Sequence, residues 1–295
     1  MILASFIKAQ PAPNKAVTVP AASTPSIAGN GVDISRASGV PTDEVWRAMK
    51  QAGVKLVVVQ AWGGETRSPV AEQQLLAAQR NGIRTAAFMI VNFESDESGD
   101  SQAREALEAV GTAVKDLKFL AIDVEPCCAP RHPYDPKLVG ERVQRIREAL
   151  KTVENVRKDL APPRSRAAKG RKRKPARPHL KAIIYTTRDY WKEIAGDSYE
   201  FAEHGVPLWD SPAGHFESDD GLTHCGDGIA GLENFVPYPP PVGDHAGWQA
   251  RAGKQYDLGP QITNKDGRIV CPGARLFGIT GRNVDLDIFA GILLK

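Results

Sequence analysis

From Lys55 to Thr187 the chain repeats one pattern, a short and largely apolar run followed by a longer amphipathic stretch. The runs are Lys55–Trp62 (KLVVVQAW), Arg84–Val91 (RTAAFMIV), Phe119–Glu125 (FLAIDVE) and Lys181–Thr187 (KAIIYTT). Runs this short and rich in β-branched residues suit strands buried on both faces, as in parallel sheets. Between them lie helix signals. Thr42 is placed to cap a helix, with Asp43 and Glu44 in its first turn and Gly53 at its end. Ser68 and Pro69 read as cap and first residue of the next, which Gly82 closes. Ala103, Ala106, Leu107, Val110, Ala113, Val114 and Leu117 trace one helical face, and Asp135-Pro136 opens a helix striped by Leu138, Val139, Val143, Ile146, Leu150 and Val153. A short helix is expected around Tyr190 to Ile194. Beyond it helical periodicity fades.

With Gly31–Ser35 (GVDIS) before the repeats and Pro207–Ser211, Gly247–Arg251 and Asn283–Phe289 after them, eight strands are predicted. Strand–helix alternation calls for a parallel sheet with helices outside. The expected fold is therefore an α/β, irregular TIM-like barrel with a helix-poor C-terminal third. The length of 295 residues suits a single domain of that kind. Residues 1–30, rich in Ala, Pro, Ser and Thr, read as a flexible N-terminal linker, leaving 31–295 to the barrel. The opening apolar run stops at Ile7, short of a secretory core, and no run approaches the roughly 20 residues of a transmembrane helix.

Two sets of residues stand apart from this pattern. Between Arg157 and Arg177 lie ten basic residues and one acid, so a basic insertion at about 157–179 interrupts an acidic body. The four cysteines are Cys127, Cys128, Cys225 and Cys271; the adjacent pair is expected to tie to Cys225 or Cys271 if it forms disulfides. A zinc site with His132 and His224 is the rival reading, but no CxxC spacing supports it.

The strand FLAIDVE carries the chemistry. Alternation puts Leu120, Ile122 and Val124 on one face and Ala121, Asp123 and Glu125 on the other. The apolar face suits the outer helices, so both acids point into the barrel near the C-terminal end of the strand, where barrel enzymes place their chemistry. Alternation likewise turns Asp33 in GVDIS and Asp285 in NVDLDIF inward. Closing a barrel makes its first and last strands neighbours, which brings Asp33 and Asp285 together. Crowded acids raise one another's pKa and can keep one protonated near neutrality as a general acid. Glycosidic cleavage asks for that arrangement, one acid for the leaving oxygen and carboxylates for the positive charge on the sugar.

At these residues the chain resembles glycoside hydrolase family 25, the Chalaropsis-type lysozymes or N-acetylmuramidases. GVDIS resembles the family's opening strand, AIDVE its Asp-x-Glu strand, AIIYTT its IIYTS-like strand, Gly247-Trp248-Gln249 its WQ strand and NVDLDIF its closing VDLN-F element. The resemblance implies a (β/α)5(β)3 barrel that hydrolyses the β-1,4 bond between N-acetylmuramic acid and N-acetylglucosamine in peptidoglycan. It implies Glu125 as the general acid, Asp123 beside the 2-acetamido group, Asp33 and Asp285 holding the charge balance, and neither metal nor cofactor. Two departures stand out. The turn after strand two reads Ala61-Trp62-Gly63-Gly64 without the family's acid, and Phe88-Met89 replace a Tyr-His pair. A barrel without catalysis, serving as a wall-carbohydrate-binding module, is the alternative they motivate.

Flat aromatics near strand ends can stack on sugar faces. Trp62, Tyr185, Trp209 and Trp248 are candidate substrate-binding residues on that ground, and Gln249 joins them from the family's WQ element. The expected partner is a peptidoglycan glycan strand, met outside the cell or at the wall by a secreted or phage-borne monomer. The basic insertion suits an anionic wall polymer. Nucleic acid is not expected, because no stacking aromatics are interleaved with the charges.

Overall fold

The computed structural model describes residues 29–128, 134–159, 180–212, 215–217, 222–233, 235–240, 242–258, 262–263, 269–270 and 284–294. The N-terminal linker and nearly all of the basic insertion lie outside them. Five strand–helix units come first: β1 (Gly31–Ile34) and α1 (Asp43–Gln51), β2 (Leu56–Gly63) and α2 (Ala71–Arg80), β3 (Arg84–Ile90) and α3 (Gly99–Val110), β4 (Leu117–Val124) and α4 (Val139–Asp159), β5 (Lys181–Thr186) and α5 (Arg188–Ala195). The one-turn α6 (Glu200–Glu203) precedes β6 (Leu208–Asp210). A hairpin of β7 (His215–Glu217) and β8 (Thr223–Cys225) follows, then β9 (Gly253–Asp257), the small ladder of β10 (Ile262–Thr263) and β11 (Ile269–Val270), β12 (Val284–Phe289) and the terminal turn α7 (Gly291–Leu294). Eight strands close in the order β1-β12-β9-β6-β5-β4-β3-β2. Among the described residues the first five strands each lead into a helix of eight residues or more and the last three do not, which is compatible with the helix-poor C-terminal third expected from the sequence.

Local chemistry explains most element boundaries. The Thr42 hydroxyl accepts from Val45 N–H, and Ser98 and Thr187 cap α3 and α5 in the same way, each meeting an orphan N–H of the first turn. Ser68 does not act as a cap. Helix α2 starts at Ala71 behind Val70, without a side-chain cap, and the Ser68 hydroxyl is buried with no hydrogen-bond partner. Leu117, expected on a helix face, opens β4 instead, because the chain tightens into a 3-10 turn over Gly111–Asp116.

The strands bury two faces in two different cores. Outside the barrel, Val57, Val59, Leu120, Ile122, Val124 and Ile184 pack under the helices with Trp46, Leu75 and Ile146. Inside it, Leu56, Val58, Phe119, Ile183, Trp209 and Phe289 fill the floor. The rings of Phe119 and Phe289 lie 5.7 Å apart and those of Trp209 and Phe289 5.4 Å, an aromatic plug that keeps water from the lower barrel.

Three features depart from the sequence expectation. First, β12 runs antiparallel to both neighbours, β1 and β9, so the barrel is not wholly parallel. Second, the seventh barrel strand is Gly253–Asp257, not Gly247–Arg251; Trp248 makes only an isolated antiparallel bridge to Tyr238. Third, Cys127 bonds to its neighbour Cys128 instead of reaching a distant cysteine, while Cys225 is disulfide-bonded separately. Both sulfurs of the adjacent pair sit against Gly64, whose φ of 85° suits glycine and where a Cβ would collide with them.

Candidate active site

Antiparallel pairing is what brings the acids together. In β1 the inward Asp33 stands near the C-terminal end, and in β12 Asp285 stands near the N-terminal end. Because β12 runs the other way, the two are level, and the register pairs Asp33 directly with Asp285. Asp123 lies one residue before the end of β4, paired with Ile90 on one side and Tyr185 on the other. Glu125 follows immediately beyond that strand. These four acids, with Tyr185 and Trp209, line one groove of about 250 Å³ at this end of the barrel. The Tyr185 and Trp209 rings meet edge-on at 4.7 Å, forming one wall.

Gln255 ties the cluster together. On β9 it lies opposite Asp287, and its amide donates to Asp33 Oδ2 at 2.8 Å and to Asp285 Oδ2 at 3.3 Å. Its own oxygen accepts from the Tyr185 hydroxyl at 2.7 Å. Below the groove, fully buried Asp287 accepts from Trp209 Nε1 at 3.1 Å. Burial, then the charges of Asp33 and Asp285, hold Asp287 well above the carboxylate range, and its Oδ2 is buried without a hydrogen-bond partner.

Burial and mutual repulsion set the protonation of this group. Loss of water pushes Asp33 up to about 7, opposed by the hydrogen bond from Gln255. Glu125 is likewise raised to about 7, by burial first and by the Asp33 charge second. Burial, then the charges of Glu125 and Asp33, hold Asp123 well above the carboxylate range. Asp285 is raised by burial and by Asp33. Asp123 Oδ1 and Asp285 Oδ1 are both buried without a hydrogen-bond partner, so the site offers polar atoms that a bound ligand could satisfy. Among the described residues no group of His, Cys, Asp and Glu is placed to hold a metal ion.

The model of glycosyl hydrolases family 25 matches residues 32–211. The chain belongs to that family. It is a glycoside hydrolase of the family 25 barrel type, and three solved structures share its fold. The muramidase from Acremonium alcalophilum is 20% identical over 90% of this chain and 96% of that one, with a TM-score of 0.52. The bacterial lysozyme from Streptomyces coelicolor is 18% identical over 90% and 94%, with a TM-score of 0.54. The autolysin LytC from Streptococcus pneumoniae, in complex with a synthetic peptidoglycan ligand, is 15% identical over 88% and 46%, with a TM-score of 0.52. No curated protein sequence matches the chain.

Three residues expected in the family 25 groove lie elsewhere. A register shift between Gln60 and Trp62 breaks the alternation of β2, and Trp62 packs into the core beneath the helices. Trp248 sits in the same outer core, edge-on to Trp191 at 4.9 Å, with its Nε1 donating to the Val206 carbonyl. Gln249 is exposed and donates to its near neighbour Gly247. Two glutamines, Gln60 and Gln255, line the groove in their stead. Gln60 was detectable as the single polar side chain in the run LVVVQAW, two residues beyond inward Val58. Gln255 was detectable as the inward member of KQYD, had that stretch been read as the strand. Of the two departures at Phe88-Met89, only Phe88 faces the groove; Met89 faces the helices.

Proposed function

We propose that this chain hydrolyses the β-1,4 bond between N-acetylmuramic acid and N-acetylglucosamine in peptidoglycan. The observation that carries the reading is Glu125, a partly exposed carboxyl at the groove with its pKa raised to about 7, beside the buried carboxyl of Asp123. A group that is protonated in part at neutral pH can give its proton to the glycosidic oxygen as the bond breaks. Asp123, kept neutral by burial, orients a 2-acetamido group by accepting its N–H at the unpartnered Oδ1, and the acetamido oxygen meets the positive charge that develops at the anomeric carbon. A water completes the reaction, losing its proton to the Glu125 carboxylate and restoring the acid. Tyr185 and Trp209 provide the aromatic wall for a sugar face. Gln255 fixes Asp33 and Asp285 so that neither closes the groove.

The wall outside a cell, reached by secretion or phage delivery, suits this activity. The disulfides at Cys127–Cys128 and Cys225 agree with an oxidising compartment. The deciding experiment is mass spectrometry of fragments released from purified peptidoglycan. N-acetylmuramic acid at the new reducing end is the expected result; N-acetylglucosamine there would overturn the bond assignment. Wall binding without any new reducing end would instead support a binding module, the reading that Phe88 in the groove motivates.

A further inference from the structure

We propose that a second pocket beside the groove binds the stem peptide of the glycan, through a carboxylate held by Arg188; the proposal rests on the muramidase reading above. The pocket, of about 310 Å³, opens at the ends of β5 and β6 and is walled by Thr187, Arg188, Asp189, Asp210, Ser211 and Tyr238. Its place is set by the chain. Thr187 is two residues beyond Tyr185, and Asp210 and Ser211 follow Trp209 directly, so residues that wall the groove lead straight into this pocket. The two strand ends are joined by the Ser211 N–H, which donates to the Thr186 carbonyl at 3.2 Å beside the Tyr185–Trp209 pair. Adjacent strands are ~4.8 Å apart, so a substituent leaving a sugar in the groove reaches the pocket within one or two residues.

The charges in the wall decide what it takes. Arg251 is spent: it pairs with Asp210 at 3.0 Å and donates to the carbonyls of Leu232 and Glu233. The other Asp210 oxygen accepts from the Tyr238 hydroxyl at 3.0 Å. Lys254, fully buried behind, is closed by Asp227 and the Ile229 carbonyl. Arg188 differs. It is exposed, and its bonds among the described residues run from one nitrogen, Nη2, to the carbonyls of Val236 and Pro237. Those contacts and the Tyr238 ring, 5.6 Å from its guanidinium carbon, hold the group in place, and the rest of its fork has no bond among the described residues. Asp189, also exposed, stands beside it with opposite sign. A pocket offering a fixed guanidinium, an acid and the hydroxyls of Thr187 and Ser211 suits a zwitterionic peptide and not an uncharged pyranose. The stem on a muramyl lactyl group is such a chain.

The test compares N-acetylmuramyl-L-alanyl-γ-D-glutamyl-L-lysine, which carries both carboxylate and ammonium, with the lactyl amide of N-acetylmuramic acid by isothermal titration. It also compares turnover of peptide-bearing glycan with glycan stripped by an amidase. The wild type is expected to favour the peptide in both assays by about tenfold, equivalent to ~1.4 kcal/mol. Arg188→Gln is expected to bring both ratios to near one, and Arg188→Lys to keep most of the preference, with thermal unfolding checking that each variant folds. A wild type without peptide preference, or an undiminished ratio in Arg188→Gln, overturns the proposal. Turnover of stripped glycan by the wild type reports on the muramidase reading separately, so the two cannot fail unnoticed together.

Discussion

Gln255 donates its side-chain amide to Asp33 Oδ2 at 2.8 Å, from a strand separated from β1 by β12. That bond stabilises the charged form of Asp33, while burial opposes it. Replacing Gln255 with leucine removes the donor and also strands the Tyr185 hydroxyl that donates to Gln255. The Asp33 midpoint is expected to rise above its present value of about 7. Hydrogen bonds to charged groups are worth about 1.5–3 kcal/mol, so kcat/KM on peptidoglycan should fall roughly ten- to a hundredfold. Carboxyl NMR titration together with wall-digestion kinetics checks both; an unmoved Asp33 titration would remove Gln255 from this role.

Glu125→Gln keeps the shape of the groove and removes the transferable proton. General acid–base catalysis contributes about 10²- to 10⁴-fold, and kcat should drop by that order. The fold should survive, because Glu125 lies just past β4 and its charge repels that of Asp123. Thermal unfolding equal to or above the wild type, with reducing-end release lost, is the expected pair of results. Turnover that persists would move the acid role to another carboxyl of the cluster.

The raised carboxyls predict two pH dependences. Glu125 must be protonated to act as an acid, so kcat/KM should fall as pH climbs through about 7. Stability has the same sign. Asp33 and Glu125 ionise near their ordinary 3.8 and 4.5 when unfolded but near 7 when folded, so the folded state binds more protons in between. Their contribution is full below about pH 4 and is lost as pH rises through about 7. Guanidinium midpoints should therefore decline from pH 5 to pH 8. Asp287→Asn removes a buried acid that shares the cluster, and it should flatten that decline.

Much of this was legible because period-two alternation needs only local sequence. GVDIS, FLAIDVE and NVDLDIF each turn their acids inward by alternation, and the structure turns Asp33, Asp123 and Asp285 toward the groove. Strand direction was not legible, since alternation is the same read either way; the level pairing of Asp33 with Asp285 depends on β12 running backwards. Trp62 was misplaced because the register of β2 shifts beside it, and a single extra residue reverses every side chain beyond it. Gln255 was not legible because KQYD lacks the apolar, β-branched character of the other barrel strands. The vicinal bond between Cys127 and Cys128 carries no sequence mark beyond adjacency.

Trp209 and Trp248 separate binding from packing in one comparison. Trp209 forms the groove wall with Tyr185, and its indole nitrogen donates to Asp287 inside the barrel. Trp209→Phe keeps a ring but leaves the Asp287 oxygen without that donor, which should further disfavour its charge and disturb Asp33 beside it. A fall in kcat/KM of about two- to tenfold is expected from one lost hydrogen bond of about 0.5–1.5 kcal/mol to a neutral acceptor. Trp248 stands under Trp191 and Tyr238, away from the groove, and its indole nitrogen serves only the Val206 carbonyl among the described residues. Trp248→Phe should cost about 1 kcal/mol of stability by removing the donor from that half-buried carbonyl, with kcat/KM unchanged. Chemical denaturation and digestion kinetics on the two variants give opposite patterns if the groove is the substrate site. Equal losses of activity in both would mean that the glycan also reaches the Trp248 side of the barrel.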